Sequence, residues 1–197
     1  MYNESILVIK RNIFFDSKEW QGILDVDYTK YINIINTNKE FISREHAETN
    51  FTYKQIIPYL VFTFQDKLFL MQRRSTSSEQ RLSNKFSLGI GGHIREEDIT
   101  NDSIIDWSKR EFAEEIDYTG NFQIKPIGII NDDSNDVGKV HIGFVFLLIG
   151  DSNNIKVRSE LKSGNLYNYQ ECEKYFNNME SWSQLVFSHL KKTLHKN

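Results

Sequence analysis

Gly91-Gly92-His93, followed after a long spacer by Arg110-Glu111-Phe112-Ala113-Glu114-Glu115, decides how this chain folds and what it can do. Glu111 and Glu114 are three residues apart and Glu111 and Glu115 four, so on a helix the three carboxylates project from about one face. Like charges at those spacings repel. A helix that keeps them needs a positive partner, and a divalent cation with oxygen ligands is the economical one. Asn101 or Asp102 offers an N-cap for a helix to about Ile116, with Ile104, Ile105, Ser108, Phe112 and Ile116 turned inward. Asp117-Tyr118-Thr119-Gly120 ends it.

Working outward, Ile6-Leu7-Val8-Ile9 and Ile13-Phe14-Phe15 read as strand. Tyr59–Phe64, a Gln65-Asp66-Lys67 turn and Leu68–Gln72 read as a hairpin, and residues 75–85 as a polar loop. After the acidic helix come strands Phe122–Ile130 and Lys139–Ile149, separated by Asn131-Asp132-Asp133-Ser134-Asn135-Asp136. Two helices close the chain, Gln170–Asn178 and Ser181–His195, the second with Trp182, Leu185, Val186, His189 and Leu190 at helical spacing. That stripe serves either the core or a homodimer contact. The order of elements fits a mixed sheet covered by helices, an α+β chain.

Composition narrows the function classes. The chain has 197 residues, long enough for one well-buried domain and short for two. A net charge of -3 gives no electrostatic footprint for a nucleic acid polymer, and no Lys/Arg run or long apolar stretch points to a membrane. One cysteine, Cys172, excludes an internal disulfide and suits a reducing cytoplasm.

The central stretch resembles the signature of the Nudix hydrolases, G-x5-E-x7-R-E-U-x-E-E-x-G-U with U aliphatic or aromatic. Arg110, Glu111, Phe112, Glu114, Glu115 and Tyr118 fall on its R, E, U, E, E and final U. The first half departs from the pattern: Asp102 stands where the family has Glu, Glu96 where it has Gly, and Asp117 replaces the late Gly. Gly92 lies four residues too early, so the loop 93–101 carries a four-residue insertion. The flanking Lys54-Gln55-Ile56-Ile57-Pro58-Tyr59 and Phe86-Ser87-Leu88-Gly89-Ile90-Gly91-Gly92-His93-Ile94 resemble a bacterial Nudix branch of predicted phosphoesterases with a GIGGHI loop and a stretched motif.

The resemblance implies an α/β/α sandwich around a central mixed sheet, residues 1–197 forming one Nudix domain with 1–50 a family-specific N-terminal extension packed on it. It implies a Mg2+-dependent pyrophosphatase, Mn2+ being a possible substitute, acting on a nucleoside diphosphate derivative or similar small phosphorylated substrate. Glu114 and Glu115 become metal ligands, Glu111 a ligand or the base that orients water, and Arg110 the residue that positions these acids by a salt bridge. A carbonyl of Gly91 or Gly92 is a further ligand. Arg73, Arg74 and His93 are candidates for phosphate contact, set against a surface role for the arginines and a structural hydrogen bond for His93. His141 reads as a structural histidine. Asp132, Asp133, Asp136 or Glu160 is a candidate for an extra ligand or base from a later loop, and Arg81 is a weaker phosphate candidate. Two other functions remain in play: a Nudix-like sensor or binding module without hydrolysis, and a diphosphate isomerase, which would need a cysteine in its active site.

Overall fold

The computed structural model describes residues 4–16, 18–73, 85–101, 103–158 and 161–194. From the N-terminus run β1 (Ser5–Lys10), α1 (Arg11–Phe15), β2 (Gly22–Leu24), α2 (Tyr28–Asn38), β3 (Glu40–Ser43) and α3 (Arg44–Ala47). Next come β4 (Tyr53–Phe64), β5 (Lys67–Arg73), β6 (Phe86–Ser87), β7 (Gly89–Gly91), α4 (Ile104–Trp107), α5 (Lys109–Glu115) and β8 (Ile116–Tyr118). The chain finishes with β9 (Phe122–Asn131), α6 (Asp136–Val140), β10 (His141–Gly150), β11 (Ile155–Val157), β12 (Leu161–Asn168), α7 (Tyr169–Glu173) and α8 (Ser181–Leu194). The larger sheet has the hydrogen-bonded order β12-β5-β4-β10-β9-β2. A mixed sheet with flanking helices places the fold in the α+β class. Among the described residues, no helix is long and apolar enough to cross a membrane.

The chain separates into two compact units. The first comprises Met1–Tyr59, Gly91–Arg110 and Pro126–Val145. Its centre is β1, antiparallel to β3 (Val8 opposite Glu40) and to β4 (Val8 opposite Gln55). Ile6, Leu7, Val8 and Ile9 are all buried, so this strand is covered on both faces, which its unbroken apolar run requires. Ile13-Phe14-Phe15 is not strand but part of the helical turn α1. The turn buries Phe14 and Phe15 together in a cluster with Trp20 and Tyr31, and each phenyl contributes about 1.5–3 kcal/mol by leaving water. A straight strand would have sent one of them to solvent.

Beside that cluster lies a buried ion network. Lys54, fully buried, donates from Nζ to Asp133 Oδ1 at 2.7 Å, to the Gly138 carbonyl at 2.8 Å and to the His141 carbonyl at 3.2 Å. Arg11 pairs with Asp133 and with Glu19. Burial pushes the Lys54 ammonium down to about 8, against the raising effect of Asp133.

The second unit comprises Leu60–Ile90, Glu111–Lys125 and Phe146–Asn197. In it β5 pairs with β12 (Phe69 opposite Leu166), forms the expected hairpin with the end of β4 (Thr63 opposite Leu68) and takes β6 at its far end (Met71 opposite Ser87). Gln65 sits at φ 54° in the two-residue turn. The start of α8 is fastened to the β6 segment: the Leu88 amide donates to Ser183 Oγ at 2.9 Å and the Glu180 amide to the Phe86 carbonyl at 3.0 Å. Ser183, Val186, Phe187 and Leu190 form its buried stripe, and Trp182, Leu185 and His189 flank it half-buried.

Candidate active site

The expected single helix is two. Ser103, not Asn101, caps α4, its Oγ accepting from the Asp106 amide at 3.3 Å, and Asp102 lies outside the described residues. Helix α4 stops at Ser108, whose hydroxyl turns back on the Ile105 carbonyl at 2.7 Å. A separate helix, α5, therefore carries Arg110, Glu111, Glu114 and Glu115. Glu114 is exposed, Glu111 half-buried and Glu115 buried.

The far end of α5 is pinned by strand pairing. The Arg158 amide donates to the Glu115 carbonyl at 2.7 Å and Arg158 Nε to the Ile116 carbonyl at 3.2 Å, where β11 runs antiparallel to β8. Ile116 and Asp117 thus belong to a strand, Asp117 opposite Lys156. This explains how the chain dispenses with the motif's late glycine: the helix passes directly into an extended segment, which needs no left-handed residue.

The near end is pinned by Arg110. Its Nε and Nη2 donate to the two oxygens of Asp98, both at 2.9 Å, and Nη2 also reaches the His93 carbonyl at 3.1 Å. Asp98 accepts a third bond from the Arg95 amide at 2.9 Å. Burial alone would raise its pKa; the bonds from Arg110 and the Arg95 amide outweigh that and hold Asp98 below the usual carboxylate range. The inserted spacer is therefore a folded piece, a 3-10 turn Glu96–Asp98 whose last acid holds the arginine of the motif. Sequence reasoning missed Asp98 because no local spacing announces a partner twelve residues from Arg110.

The glycine turn is tight. A Cβ on Gly91 would lie 2.7 Å from the Pro58 carbonyl oxygen, so any side chain there would displace backbone. Beside it His93 is half-buried, its Nε2 2.7 Å from Gln55 Oε1, 3.3 Å from His141 Nε2 and 3.8 Å from Glu48 Oε1. Burial, then the charges of Arg44, His141, Arg110 and Arg95, hold the His93 pKa well below its ordinary value, so the ring is neutral. His141 Nδ1 donates to the Val137 carbonyl at 2.7 Å, which leaves its Nε2 as the lone-pair nitrogen when the ring is neutral.

The other candidates are accounted for locally. Asp132 accepts from Gln21 Nε2 and Ser134 Oγ, each at 2.7 Å, Asp133 is engaged by Lys54 and Arg11, and Asp136 pairs with Lys139 at 2.8 Å. Glu160, Arg74 and Arg81 lie outside the described residues. Arg73 Nε stands 3.8 Å from Glu180 Oε2. Burial pushes the Cys172 thiol up to about 12, which makes it a poor acid/base for isomerase chemistry at neutral pH. An open cavity of about 390 Å³ beside Arg110 is lined by Glu97, Asp98 and Asp106 against Lys109 and Arg110, a balance of charge that repels a polyphosphate.

Fold and helix together define a class: an α+β hydrolase that carries three acids on one short helix behind a glycine turn. The comparisons agree. No protein-family model matches. Protein YmaB of Bacillus subtilis (strain 168) is 33% identical over 198 residues, 93% of this chain and 96% of that one. Tm1382, "a putative Nudix hydrolase", superposes with a TM-score of 0.81 at 31% identity over 95% of this chain and 98% of its own. The Nudix domain of Shewanella oneidensis NrtR, solved with ADP ribose, shares the fold alone, with a TM-score of 0.57 at 13% identity over 72% of this chain and 88% of that one. The chain belongs to the Nudix hydrolase family. By class it is a Nudix-type pyrophosphohydrolase, an enzyme of diphosphate linkages.

Proposed function

We propose that the chain hydrolyses a diphosphate linkage in a nucleoside diphosphate derivative or related small phosphorylated metabolite, using Mg2+ with Mn2+ as a substitute. The observation that carries this is α5 itself: three carboxylates at helical spacings of three and four, held between the Arg110–Asp98 fork and the Arg158 bonds at Glu115 and Ile116. The donor set is all hard oxygen, which fits magnesium. Glu114 and Glu115 would hold the ion and Glu111 would be a further ligand or the base that orients water, while Arg110 positions the helix rather than touching substrate. Bound there, the cation would supply charge to the non-bridging phosphate oxygens and acidify a water. A net charge of -3 and a single cysteine support a small-molecule partner in the cytoplasm rather than a nucleic acid polymer.

Incubation with nucleoside triphosphates, dinucleoside polyphosphates, ADP-ribose, NADH, FAD and CoA plus Mg2+, with products identified by mass, tests the substrate class. Two phosphate-containing products from at least one compound are expected; no cleavage of any would refute it. Arg73 and His93 are the described residues among the candidates for a substrate phosphate, and Arg73 carries the charge. Arg73→Ala is expected mainly to raise KM, at a loss of about 1.5–3 kcal/mol in kcat/KM for a charge-assisted hydrogen bond. Unchanged kinetics would leave Arg73 as the ion-pair partner of Glu180.

A further inference from the structure

We propose that Glu48, His93 and His141 form a second metal site, one that takes a borderline transition-metal ion, Zn2+ first, rather than the hard cation of α5. The three side chains come from separate segments of the first unit, and their ligating atoms all lie within 4.8 Å of one another. Two imidazole nitrogens and one carboxylate are a donor set for zinc, cobalt or iron and a poor one for magnesium. The spacing fits as well. Zn–ligand bonds of about 2.0–2.1 Å give a tetrahedron with edges of about 3.3 Å. His93 Nε2 and His141 Nε2 are 3.3 Å apart, and Glu48 Oε1 stands 3.8 Å from His93 Nε2, a gap that a small side-chain rotation closes.

The surroundings prepare the histidines as ligands. The Val137 carbonyl accepts from His141 Nδ1, which fixes the tautomer that presents Nε2, the usual outer support of a metal-bound imidazole. Gln55 is fully buried, with Oε1 turned to His93 Nε2 and, among the described residues, no hydrogen-bond partner for Nε2. An amide held that way gives up a hydrogen bond to place its oxygen at the site, which suits a fourth donor. On binding, the His93 ring proton moves from Nε2 to Nδ1 and the ring stays neutral. Glu48 is half-exposed, which gives the ion a path from solvent. Against the site stands Arg44, whose Nε is 3.5 Å from Glu48 Oε1 and competes for the carboxylate.

The test uses metal-stripped full-length protein carrying Glu115→Gln, titrated with Zn2+ by calorimetry in excess Mg2+, so that the α5 acids neither report nor compete. One Zn2+ per chain is expected, with binding weakened at least about a hundredfold by Glu48→Gln or His141→Asn, beyond the effect of losing an outer-shell partner. A rise in thermal midpoint on adding Zn2+, absent in those variants, would accompany it. No stoichiometric Zn2+ binding, or equal binding in Glu48→Gln, would overturn the proposal. Glu48 is half-exposed, so Glu48→Gln decides the matter even if His141→Asn does not fold. Because Glu115 is already altered, the result stands whether or not the hydrolase reading of α5 survives.

Discussion

Glu115→Gln is expected to lower kcat by at least about a hundredfold with little change in fold, the scale of losing one preorganised electrostatic contact to a transition state. The substitution preserves shape and removes one charge from the carboxylate set. Glu115 is the buried member of the three, at 7% exposure, so water cannot screen the loss. Its carbonyl accepts from the Arg158 amide, and that bond survives the change. Glu114→Gln is expected to lose a comparable factor. Steady-state kinetics with saturating Mg2+ checks both, and retention of more than half of kcat in either variant would remove that residue from the metal set.

Lys54→Ala is expected to destabilise the protein by about 3–5 kcal/mol, the cost of a cavity at a long buried side chain together with its lost hydrogen bonds. The side chain is fully buried, and three acceptors, Asp133 and the carbonyls of Gly138 and His141, lose their donor together. Arg11 still faces Asp133 and the His141 amide still donates to the Gly138 carbonyl, so the change leaves a hole and three lost hydrogen bonds rather than a bare carboxylate. In a chain of this length the thermal midpoint should fall by roughly 10 °C, and a shift within about 2 °C would contradict the account. The pH dependence has a definite sign. The folded pKa, about 8, lies below the ordinary 10.5, so between those values the unfolded chain holds more protons and this group's penalty, full below about 8, is relieved as pH rises. Wild-type stability minus that of Lys54→Met, followed by chemical denaturation, should therefore increase from pH 8 to pH 10.

What the sequence disclosed follows the range of the interactions involved. The three acids and Arg110 are legible because helical spacing is a local property, and the β4–β5 hairpin because an apolar run, a polar break and a second run need no distant partner. Ile13-Phe14-Phe15 misleads because its β-branched and aromatic residues satisfy strand propensity, while the pocket around Trp20 and Tyr31 rewards a helical turn. The break at Ser108 rests on one hydroxyl returning to its own helix, too weak a signal to read in advance. Strand β12, Leu-Lys-Ser-Gly-Asn-Leu-Tyr-Asn, carries little apolar pattern and is a strand because β5 pairs with it. Asp98, Glu48 and Gln55 escaped for the same reason, since each acquires its role from residues far along the chain. The departures of the motif from its family pattern are resolved structurally: the longer spacer folds against Arg110, and Asp117 enters a strand.

The central claim is that the carboxylates of α5 hold a divalent cation without which the diphosphate is not cut. The most direct measurement follows the best substrate of the panel in water labelled with heavy oxygen, using EDTA-treated protein before and after Mg2+ is restored. The expected result is no turnover without metal and full turnover with Mg2+ or Mn2+, one labelled oxygen entering a product phosphate. Undiminished cleavage in the presence of a strong chelator, or cleavage that brings in no labelled oxygen, would contradict the account.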